Sequence, residues 1–226
     1  MGTKETNRKN WNKQQTEFRR SLLSFTQYEE ALSMFFSQHG ALHSAVVDPD
    51  TPWYYEDELF CGLSEDQARL ILPGSDHSIA WLVWHMARIE DITMNILVVG
   101  GEQLFNSGSW DVKLQVSARD AGNGMDAAGI AALSAEINIS ALRAYRRAVG
   151  HRTRQNIRGL RPETLKQEVD PGRLQRVVDE GAVLPAGQEV INYWSRRNIA
   201  GLLLMPPTRH NFIHLNEATR IKEKVA

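Results

Sequence analysis

From residue 77 to residue 101 the chain reads HSIAWLVWHMARIEDITMNILVVGG. Within it Leu82, His85, Ile89, Ile92 and Ile96 recur at intervals of 3, 4, 3 and 4. That spacing places all five side chains on one face of a helix. Pro73-Gly74-Ser75-Asp76 supplies the start, since Ser75 or Asp76 can cap exposed backbone N–H groups, and Gly100-Gly101 supplies the stop. A long helix with an inward apolar stripe therefore has to be covered by other helices or by a sheet. Its one polar member is His85, an imidazole that needs a partner to offset its burial.

The remaining segments favour helices. Residues 1–15 hold little that can be buried and read as a flexible N-terminal tail. Residues 16–226 read as a single domain. Phe18, Leu22, Phe25, Leu32, Phe35 and Phe36 predict a helix over about 16–43, ending before the breaker Asp48-Pro49-Asp50-Thr51-Pro52. Residues 48–66 contain seven acids, no base, and Trp53, Tyr54 and Tyr55. They read as a surface connection with aromatic anchors. Residues 101–126 hold one alternating piece, WDVKLQV, that suits a strand or an extended loop. A third helix is expected over about 127–160, and an irregular stretch over 162–187 with a turn at Asp170-Pro171-Gly172 and a short helix near 174–178. A further helix covers 190–205. Pro206-Pro207 breaks or kinks it, and a last helix runs from near Pro207 to about Lys224. Four or five long helices with little strand signal argue for an all-α bundle.

Composition narrows the class of function. Apolar residues make up 42% of the 226 and charged residues 23%, as in a soluble globular protein. The net charge of −1 gives no overall field toward nucleic acid or an anionic membrane. Cys61 is the lone cysteine, which rules out an internal disulfide framework and a multi-cysteine zinc site. The polar N-terminus has no signal-like apolar run. The apolar stretch at 79–86 is far too short to span a bilayer. A reduced, cytoplasmic setting with no membrane partner is expected.

Chemistry concentrates in PPTRHNFIHLNE, residues 206–217. His210 and His214 are four apart, so on a helix they point the same way and can hold one ion. A third ligand must come from elsewhere, and His85, inward on its own helix, is the best placed. Three nitrogens would leave coordination positions open, as catalytic metal sites do. Glu217, one turn past His214, suits a supporting acceptor, an extra ligand or a proton carrier. Against this, spacing of four is common: His39 and His43 form another such pair, discounted because Gly40 intervenes as the helix ends. A core histidine is ordinarily satisfied by a hydrogen bond, and histidines near a helix C-terminus are explained by its dipole.

SIAWLVWHMARIED (78–91), RHNFIHLNEATRIK (209–222) and RGLRPETLKQEV (158–169) together resemble the DinB-like superfamily, over most of residues 20–226. The resemblance implies an up-down-down-up four-helix bundle, here with extra short helices and a long loop insertion. It implies a metal triad of His85, His210 and His214. The ion is divalent, nickel or zinc, and a low-molecular-weight thiol is a family co-substrate. The 101–126 stretch, the insertion around 172–187 and the double proline depart from the family pattern and bear on the shape of the substrate pocket.

Three function classes follow. The first is a metal-dependent transferase using a thiol, or a hydrolase, acting on a small molecule, with Glu217 handling protons. The second is a metal- or ligand-binding, stress-related module without catalysis. In either case a homodimer through helix faces is expected. The third is an interaction protein using residues 143–176, which hold ten Arg or Lys against three acids. No nucleic-acid motif accompanies that stretch, and a solvated helix face or a patch facing the acidic 48–66 segment suits it better. Trp81, Trp84 and Trp194 suit core filling better than a ligand pocket. Cys61 has no base nearby in sequence.

Overall fold

The computed structural model describes residues 4–23 and 27–225. Among them there is no strand, only one isolated bridge between Glu168 and Asn198, and the fold is an all-α four-helix bundle with short accessory helices. The helices in chain order are α1 (Lys4–Leu23), α2 (Tyr28–Gly40), α3 (Tyr55–Phe60), α4 (Glu65–Arg69), α5 (Ile79–Asp91), α6 (Leu104–Ser107) and α7 (Trp110–Leu114). After them come α8 (Ala127–Glu136), α9 (Ile139–Arg158), α10 (Pro171–Asp179), α11 (Gln188–Trp194), α12 (Ile199–Leu204) and α13 (Asn211–Val225).

The segment that most constrained the sequence reading is the centre of the molecule. α5 is capped by the Ser78 side chain accepting from the Trp81 N–H, and all its residues are buried. It continues as a π-helical run, Ile92–Val98, and stops at Gly100, whose φ of +70° is one a glycine adopts without strain. A helix apolar on one face and buried all round must be wrapped on every side. α9 and α13 supply two of those walls.

Several expectations change. From Lys4 onward the segment expected as a tail belongs to α1. Trp11 is the reason, since its ring stacks on Phe212 at 4.1 Å and its Nε1–H donates to the Gln38 carbonyl at 3.0 Å. The helix expected over 16–43 is two helices, α1 and α2, and Phe25, part of that pattern, lies outside the described residues. The 48–66 connection contains α3 and α4, and Ser64 with Gln67 forms a capping box. WDVKLQV is helical through α7. The 127–160 helix splits at Asn138 and the 190–205 helix at Asn198. In each case the asparagine side chain accepts from the backbone three residues on and starts a new helix.

The double proline bends the chain without ending it. Met205–His210 forms a second π-helical run leading straight into α13. Pro207 has no N–H for the Leu203 carbonyl, and the Thr208 hydroxyl donates to it instead, at 3.0 Å. The Gln15 amide reaches across from α1 to the Leu204 carbonyl at 3.1 Å.

Candidate metal centre

α5 brings His85 against the π-helical run and the first turn of α13. His85 Nε2 lies 3.2 Å from His210 Nε2, and one ligand atom from each of His85, His210 and His214 lies within 4.8 Å of the others. The edge of a tetrahedron with metal–nitrogen bonds of about 2.05 Å is about 3.3 Å, so the first pair already has ligand spacing.

The outer nitrogens fix the tautomers. His85 Nδ1 faces the Ala121 carbonyl at 2.5 Å; a carbonyl can only accept, so Nδ1 carries the proton and Nε2 keeps its lone pair. His214 Nδ1 donates to Glu217 Oε2 at 3.0 Å, which likewise frees its Nε2. Glu217 Oε1 accepts from His77 Nδ1 at 3.2 Å, so one carboxylate orders two imidazoles. His77, Trp81 and His85 form a stack, with Trp81 4.1 Å from the first ring and 4.9 Å from the second.

The electrostatics suit a cation. Burial, then the neighbouring His214, lowers the His85 pKa to about 3, and burial with His85 beside it holds His210 well below the ordinary range. Both rings are therefore neutral ligands near neutral pH. Glu217 is lowered by the hydrogen bond from His214 and then, despite partial burial, by that from His77. Polarity is graded: His85 is 5% exposed, whereas the His214 and Glu217 side chains are 19% and 35% exposed, so the cluster opens toward solvent on the α13 side.

The pair that sequence spacing discounted is also built in. His39 and His43 are wholly buried at the end of α2, where their Nε2 atoms lie 2.8 Å and 3.3 Å from the two oxygens of Glu90. Asn211, next to His210, donates to Glu90 Oε2 at 2.7 Å. These three groups also have ligand atoms within 4.8 Å of one another. His39 Nε2 donating to the carboxylate accounts for the shorter of the two imidazole contacts without an ion.

Sequence reasoning missed His77, the Ala121 carbonyl and Glu90. A signal existed for the first, because His77, Trp81 and His85 fall at steps of four. None existed for Ala121, which acts through its backbone. The arginine-rich face of α9 meets the acidic segment: Arg154 pairs with Asp48 at 2.8 Å, Arg146 with Glu56 at 2.9 Å and Arg143 with Asp57 at 3.8 Å. Cys61 is free and exposed, and no helix among the described residues is long and apolar enough to cross a membrane.

A sequence model of the DinB superfamily matches residues 53–194, a span that contains His85 and stops short of His210 and His214. No curated protein matches the chain. With well over half its length matched and an all-α bundle around three converging imidazoles, the chain belongs to the DinB superfamily.

Proposed function

We propose that the protein is a divalent-metal enzyme of this superfamily, with His85, His210 and His214 as the ligands, acting on a small molecule. The observation that carries the reading is the pre-set pair of tautomers: Ala121 and Glu217 each hold an Nδ1–H, and so turn two Nε2 lone pairs toward the third histidine. A bound divalent ion, nickel or zinc by family likeness, would supply Lewis acidity and lower the pKa of a thiol or water at its open positions.

The chain's own residues do the rest. Trp81 packs flat on His85 and shields one face of it from water. Glu217, about a third exposed at the mouth, can take up a proton there while the hydrogen bonds it accepts from His77 and His214 keep it ionised until it does. Transfer to or from a low-molecular-weight thiol is the preferred reaction and hydrolysis the second. A homodimer through helix faces, in the cytoplasm, is part of the proposal.

Protein purified without chelators or affinity tags should carry about one divalent ion per chain, and His210→Ala should lose it. Elemental analysis showing no stoichiometric metal in the parent protein, and no change in the variant, would sink the reading. A non-catalytic metal-binding module is the second reading. It gains if the ion is present and the loaded protein turns over neither thiol-transfer nor ester substrates.

A further inference from the structure

Two hollows meet behind His210. The inner one, about 190 Å³, is walled by Ile89, Val190, Trp194 and Pro206 and reaches Asn123 and His210. The outer one, about 620 Å³, opens beside α1 and carries Arg19, Arg197 and Arg209, with no Asp or Glu in its lining. Tyr193 and Met205 line both, so the apolar hollow and the basic one adjoin across those two side chains.

The charge in the outer hollow is uncompensated. Several arginines elsewhere in the chain sit on carboxylates, as Arg146 does on Glu56, Arg154 on Asp48 and Arg176 on Glu180. Among the described residues Arg19, Arg197 and Arg209 have no such partner. Arg197 lies 4.2 Å over the Tyr193 ring, and Arg209 is held by Asn12 Oδ1. Those contacts position two guanidinium groups without neutralising them. In a chain of net charge −1, an acid-free wall with three arginines gathers positive charge in one place and attracts anions.

We propose that the recess binds an organic anion with an apolar segment. Its acid group sits on Arg19, Arg197 and Arg209, and its apolar segment passes Tyr193 and Met205 to end beside His210. Only the inner end of this assignment rests on His210 being a metal ligand. Ala121 and Asn123 belong to one turn, so the segment that orients His85 also lines the ligand's inner end.

Calorimetric titration with octanoate, octyl phosphate, octanamide and acetate tests the assignment, on metal-loaded and on chelator-treated protein. One or both octyl anions should bind on the order of tenfold to a hundredfold tighter than octanamide, and their ratio tells a carboxylate site from a phosphate site. Arg197→Gln with Arg209→Gln should erase that preference. Val190→Trp should abolish the advantage of octanoate over acetate by filling the inner hollow. The preference should survive chelation, so loss of the metal reading leaves this result standing. Equal binding of octanamide, no binding of any probe, an undiminished preference in the arginine variant, or a preference seen only with metal present would each overturn the proposal.

Discussion

His43 shows how far burial can set the chemistry of a single side chain. It is wholly enclosed, and burial, only partly opposed by Glu90, lowers its pKa to about 3 from an ordinary 6.5. Between those values the unfolded chain takes up a proton that the folded chain refuses, so stability falls as the pH drops through that window. One such group contributes a slope of at most about 1.4 kcal/mol per pH unit. His85 and His210 are shifted the same way and add to the loss. Glu90 adds more once the pH passes below the ordinary carboxylate range: its burial works against ionisation, but the imidazoles of His43 and His39 hold its carboxyl well below that range. In His43→Gln the amide can still donate to Glu90 and no longer titrates. Urea unfolding of chelator-treated protein between pH 6 and 4 should therefore give a shallower pH slope for the variant, by up to about 1.4 kcal/mol per unit. Coincident slopes would mean that His43 is charged in the folded state or that Glu90 compensates fully.

Helices in this chain meet through charge as well as apolar packing, and the contact of α3 with α9 is the clearest instance. Glu56 and Arg146 are both fully enclosed, yet burial pushes the Glu56 carboxyl upward in spite of the arginine beside it. Desolvation thus outweighs attraction for this pair, and its value lies in matching rather than in net energy. Arg146→Met alone should cost about 3–5 kcal/mol, because it strands a buried carboxyl, whereas Arg146→Met with Glu56→Leu should recover most of that. Thermal or urea unfolding of both single variants and the double checks the cycle: additive losses would show the two side chains to be uncoupled, and a double variant no more stable than Arg146→Met would show the pair to be a net stabiliser. Periodicity marked α9 but not α3, which lay in a segment read as a surface connection, and the excess of arginine on α9 against acid in 48–66 hinted at their meeting. Where helices begin and end was less legible. Asn138 and Asn198 sit inside stretches that read as continuous helices, and only the side-chain cap on the following turn shows that a new helix starts there.

The candidate centre is assembled from parts far apart in the chain: α5, the turn at Ala121, the π-helical run after α12, and α13. Spacing could select His85, His210 and His214, because each lies at a fixed phase on its own helix. It could not show that a backbone carbonyl at 121 and a tryptophan at 81 would hold the first of them, since those contacts depend on how helices cross. Least legible was the first half of α1, whose polar sequence hides one buried ring, Trp11. Trp11 stacks on Phe212, two residues before His214, while Asn12 holds Arg209 and Gln15 reaches the Leu204 carbonyl beside the double proline. These contacts brace the π-helical run that carries His210, so α1 bears on the candidate ligands without touching them. Trp11→Ala should lower unfolding stability by about 3–5 kcal/mol, as expected for removing a large core ring. It should also weaken affinity for added Co²⁺ about tenfold or more, an effect of the size seen when a ligand's supporting contacts are lost. Asn10→Ala, one position away and exposed, should change neither. Removal of residues 2–15 should reproduce and exceed the Trp11→Ala loss in both measurements. If the truncated chain instead kept its unfolding midpoint and its Co²⁺ affinity, α1 would be dispensable and the first reading of that segment as a tail would be right after all.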